Sequence, residues 1–88
     1  MKKIVEVTEV EGEGLLALIG KRVTLFCMNY IYTGDLVGVN DSDVLLEKAA
    51  IVYETGPFGE KNWKDVQPIP GGKWYVRTTT IESYGELK

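Results

Sequence analysis

Histidine is absent from this 88-residue chain and cysteine occurs once. Histidine-based triads, histidine metal sites and an internal disulfide are therefore excluded. The lone Cys27 lies in the run Val23-Thr24-Leu25-Phe26-Cys27, where a small buried apolar role is expected of it. Neither the phosphate-cradling Gly-x-x-x-x-Gly-Lys-Ser/Thr nor the dinucleotide fingerprint Gly-x-Gly-x-x-Gly occurs. The apolar run Leu15–Ile19 stops after five residues, where roughly 20 are needed to cross a bilayer. After Met1-Lys2-Lys3 come Glu6, Glu9, Glu11 and Glu13, in the place where a signal peptide needs an apolar stretch. A soluble cytoplasmic protein with no membrane contact is the expectation. Carboxylates are scattered without the spacing of a paired acid and base. No enzymatic activity, metal, cofactor or small-molecule substrate is expected.

Excess charge is also lacking. The net charge is −3 and the pI is near 4.9. Residues 1–44 carry four basic and seven acidic side chains, and residues 45–88 carry six of each. Binding to nucleic acid would have to use a local patch rather than the field of the whole molecule.

What is present favours strands. Val, Ile and Thr number 23, and the nine aromatics bring the β-favouring residues to 32 of 88. The 44% hydrophobic content fits one small domain over residues 1–88. Residues 3–10 read as a short edge strand with Val5 and Val7 on one face. Leu15–Ile19, closed by Gly20, is too short for an isolated helix; a helical turn or two docked over one end of a barrel is the economical reading, and an apolar strand start the alternative. Lys21 to Met28 is apolar on both faces and should be buried on both. After a turn at Asn29-Tyr30 a second strand runs from Ile31 to Val39, with Gly34 and Gly38 marking bulges or bends.

Asn40-Asp41-Ser42-Asp43 has turn chemistry. A third strand follows from Val44 to about Lys48 and continues irregularly to Tyr53. Residues 54–72 hold all three prolines and predict a long excursion, anchored by Trp63 and Val66, that is either functional or a hairpin of its own. Strands at Lys73–Thr78 and Ile81–Tyr84, with a turn at Thr79-Thr80, complete the chain.

This order resembles the Sm-like family, which includes the LSm and bacterial Hfq-type small barrels. Residues 23–46 read VTLFCMNYIYTGDLVGVNDSDVLL, in which Tyr32-Thr33-Gly34-Asp35-Leu36 fits the aromatic-x-Gly-x-apolar part of the first Sm motif. Val76-Arg77-Thr78 followed by Ile81 is similar to the second. The first motif would span about 21–48 and the second about 73–84, separated by the 54–72 insert. The resemblance implies an all-β, SH3-like, strongly bent five-stranded barrel, preceded by the helical turn and the extra N-terminal strand. Gly34 is the structural glycine that permits the bend.

The resemblance further implies a homo-oligomeric ring, in which one copy's Trp74-Tyr75-Val76 edge pairs with the Ile81–Tyr84 edge of the next. It also implies single-stranded RNA as a ligand, with Asn40, Ser42, Arg77 and Thr78 at the site. Asn40 stands where the family usually has Asp, and Ser42 where many relatives carry a base-stacking side chain. Val44 replaces the Asn that reads a base, and Thr78 replaces a glycine. For Arg77, phosphate contact and an ion pair stand as alternatives. For Asn40 the alternatives are base recognition and turn capping. Tyr30, Tyr32, Tyr75 and Tyr84 can stack on bases or pack in the core or an interface. Trp63, between Lys61 and Lys64, can touch nucleic acid or anchor its loop. The implied function is a non-catalytic RNA chaperone or scaffold. A ring-forming protein scaffold without the RNA pocket and a monomeric SH3-like adaptor are the alternatives.

Overall fold

The computed structural model describes residues 14–88, so the strand expected at residues 3–10 lies outside the described residues. The described chain is all-β, with a 3₁₀ turn at Leu15–Leu18 and six strands. These are β1 (Arg22–Cys27), β2 (Ile31–Val39), β3 (Asp43–Glu54), β4 (Asp65–Pro68), β5 (Lys73–Arg77) and β6 (Ile81–Gly85), with a second 3₁₀ turn at Thr78–Thr80 between the last two. They form one antiparallel sheet in the order β4-β3-β2-β1-β6, with β5 also paired to β3.

The strand count differs from the five-stranded barrel expected. Among the described residues the sheet has six strands, and none of their pairings closes it on itself. The additional strand comes from the insert. Val66 pairs with Val52, and Pro68 takes the end of the strand opposite Ala50, where a missing N–H is tolerated at an edge.

Strand β3 organises this arrangement. Its first half, Asp43–Glu47, pairs with β5; its second half, from Ala50 to Glu54, pairs with β4. Between the halves Lys48 takes a left-handed φ of 49°, which breaks the strand direction. Gly34 faces this break across the sheet. A Cβ there would lie 3.1 Å from the Glu47 carbonyl oxygen and 3.2 Å from the Ala49 Cα. The β2–β3 register also shifts between Thr33 and Asp35. A side chain at position 34 would therefore press on the backbone of β3 at the bend. A second shift, between Leu36 and Gly38, fits the expected glycine bulge.

The bend wraps one face of the sheet around a core of Val23, Leu25, Leu36, Val44, Leu46, Ala49 and Val76. Leu15 and Leu18 of the first 3₁₀ turn pack against it, as do Ile69 and Ile81. The opposite face carries Thr24, Thr33 and Ala50 in one row across β1, β2 and β3, and all three are buried. Strand β1 is therefore covered on both faces, as its composition predicts. The hydroxyls find partners: Thr33 Oγ1 donates to the Val23 carbonyl at 3.0 Å and Thr24 Oγ1 to the Leu87 carbonyl at 2.8 Å, which removes the penalty of burying them.

Candidate functional site

The β2–β3 turn is built on Asn40. Its Oδ1 accepts from the backbone N–H groups of Ser42 and Asp43, both at 2.8 Å. This is the local capping that Asx side chains perform in turns. It occupies the acceptor that would read a base and leaves the amide N–H donors. The one Ser42 hydroxyl proton goes to Asp43 Oδ2 at 2.8 Å, with Asn40 Oδ1 the longer alternative at 3.2 Å.

The end of β5 is tied to this turn. The Thr78 N–H donates to the Ser42 carbonyl at 2.9 Å, and Thr78 Oγ1 to the Asp41 carbonyl at 3.1 Å. Asp43 is the register partner of Arg77, and its Oδ1 lies 3.6 Å from Arg77 Nε. The four residues Asn40, Ser42, Arg77 and Thr78, up to 38 positions apart in the sequence, therefore meet at one end of the sheet.

Their roles differ. Asn40, Ser42 and Thr78 hold the turn together. Arg77 makes one long contact while 77% of its side chain is exposed, which leaves most of the guanidinium free for a planar acceptor. Val44, at the position of a base-reading Asn in Sm proteins, is fully buried in the core and cannot reach a ligand. Beside the turn a hollow of about 260 Å³ is lined by Gly38, Val39, Asn40, Asp43, Leu45 and Tyr75. Its walls are apolar and aromatic, and its rim carries one amide and one carboxylate. The Asp43 carboxylate, 3.6 Å from Arg77 Nε, opposes any phosphate brought there.

A second hollow, of about 210 Å³, lies where the β1–β2 hairpin meets the start of β6, between Cys27, Met28, Asn29, Tyr30, Tyr32 and Thr80. Tyr30 and Tyr32 stand with ring centroids 6.1 Å apart. Burial pushes both the Cys27 thiol and the Tyr32 hydroxyl up from their ordinary values. Burial thus favours the protonated thiol over the thiolate. Among the described residues no group of three metal-ligating side chains gathers, and no helix is long and apolar enough to cross a membrane.

Two rims complete the site. Among the described residues β5 pairs only with β3, and β6 only with β1. On β5, Trp74 and Tyr75 are exposed, Tyr75 at 65%. Val76, expected at a subunit interface, instead points into the core at 4% exposure, because its register partner Val44 faces inward too. It can offer a neighbour only its backbone. On β6, Tyr84 is exposed, whereas Ile81 packs against the core. Trp63 is half-buried and carries the Lys88 ammonium over its ring, so it anchors its loop. Sequence reasoning missed Asp43 and the tail residues Leu87 and Lys88. The pairing of Asp43 with Arg77 follows from strand register alone, but the tail contacts have no sequence signal.

No family model matches this sequence, and no curated protein or solved structure matches it.

Proposed function

We propose that this chain is an Sm-like subunit that pairs edge to edge with its own copies into a ring and works without catalysis as an RNA-associated chaperone or scaffold. The observation that carries the reading is the pair of free rims. Strands β5 and β6 each have one unpaired side among the described residues and are joined by a single 3₁₀ turn. Exposed aromatics stand on both. Unpaired strand edges are templates for another strand, and head-to-tail pairing of unlike edges closes into a cycle when the rotation fits. The RNA part rests on the convergence of Asn40, Ser42, Arg77 and Thr78, with Arg77 as the phosphate or base contact.

A second reading, the same ring as a protein scaffold without an RNA pocket, is favoured by the occupied Asn40 acceptor and by the Asp43 carboxylate beside Arg77. Sedimentation velocity with a labelled U-rich or A-rich oligonucleotide separates the two. The RNA reading predicts co-sedimentation that weakens with salt and with Arg77→Ala. No co-sedimentation at low ionic strength would leave the scaffold.

A further inference from the structure

Three consecutive tail residues are each fixed to a different part of the molecule. Glu86 lies 3.7 Å from Lys21 Nζ, the Leu87 carbonyl accepts from buried Thr24, and Lys88 reaches the 55–63 loop. There the Lys88 ammonium donates to the Thr55 carbonyl at 2.6 Å and to the Asn62 carbonyl at 3.1 Å, and it stands 4.6 Å from the centroid of Trp63. Two backbone carbonyls and an indole face form a coordination set for a primary ammonium. The acceptors are neutral, unlike the carboxylates of the four ion pairs seen among the described residues.

The loop is shaped for this. Gly56 follows Thr55 directly and takes a left-handed φ of 66°, where a Cβ would meet the Lys64 side chain at 3.3 Å. The turn is closed by the Glu60 N–H donating to the Pro57 carbonyl at 3.0 Å. On its other side Phe58 meets Phe26 of β1 edge to face, with centroids 6.3 Å apart. The carbonyls are thus held on a loop docked to the sheet.

We propose that residues 55–63 form a binding site for a primary alkylammonium group, filled in cis by Lys88, and that this latch holds residues 86–88 as a strap across the outer face of the sheet. The strap continues straight from β6, so the latch also keeps β6 seated on β1. This assignment is independent of the ring and of RNA.

Amide hydrogen exchange of the full chain tests it. Lys88→Met should speed exchange of the 55–63 amides and of Leu87 by about tenfold, leaving β5 unchanged. Lys88→Arg, which keeps the charge and its donors, should retain part of the protection. Methylammonium chloride at about 1 M, well above the roughly millimolar effective concentration of a short flexible tether, should slow the 55–63 amides again in Lys88→Met. Sodium chloride at the same concentration should not. The parent latch should persist in that salt, because its acceptors carry no net charge. Unchanged exchange in Lys88→Met would overturn the proposal. So would a rise spread evenly over every strand, or equal effects of methylammonium and sodium.

Discussion

The two faces of the sheet are stabilised differently. The inner face is closed by large aliphatic side chains from β1, β2, β3 and β5 that bury one another. The outer face is lined by small residues, Thr24, Thr33 and Ala50, and is covered from elsewhere. Phe58 reaches it from the insert, and the Leu87 carbonyl from the tail. The inner face is a core made by the strands alone. The outer face is a joint between the sheet and two segments that lack regular structure, so its stability depends on a few polar and aromatic contacts.

The largest effect should come from the inner face. Leu46→Ala removes a fully buried side chain and should cost about 2–5 kcal/mol, read from the urea midpoint. Gly34→Ala places a methyl within 3.1–3.2 Å of backbone atoms of β3. It should cost about 1–3 kcal/mol, and Gly34→Val more, because backbone cannot yield as a side chain tip does. On the outer face, Thr24→Val keeps the shape but strips the Leu87 carbonyl of its donor, for about 1 kcal/mol. If Thr24→Val matched Leu46→Ala, the distinction between the two faces would collapse.

A smaller effect should appear with pH. Cys27 and Tyr32 are held above their ordinary values by burial, so the folded chain resists losing either proton. Their contribution to stability is complete below the unfolded thiol's value of about 8.5 and is lost as pH rises through the folded values. Denaturation midpoints should therefore fall on the alkaline side, and Cys27→Ser should flatten the first part of that fall. Smallest of all, Arg77→Ala should shift stability by no more than about 0.5 kcal/mol, since its pair with Asp43 is long and exposed. Its effect belongs to binding.

Much of the inner face was readable in advance. Alternation placed Val23, Leu25 and Cys27 on one side of β1, and the glycine inside β2 marked the bend. The outer cover was not readable, because Thr24 reveals nothing of Leu87, 63 positions away. Strand β4 was hidden as well: Asp65-Val66-Gln67-Pro68 has one β-branched residue, and its pairing depends on the second half of β3 being free to receive it. The candidate site was legible as a set of residues and not as roles. Asn40, Ser42 and Thr78 carry side chains that suit a turn as well as a ligand, and only the distances show that the turn takes them.

Native mass in solution tests the edge-pairing claim most directly. Sedimentation or light scattering at micromolar concentration should give a discrete species at a multiple of the 9.8 kDa chain mass, as expected when β5 and β6 of successive copies complete each other. A species of 9.8 kDa at that concentration would contradict it.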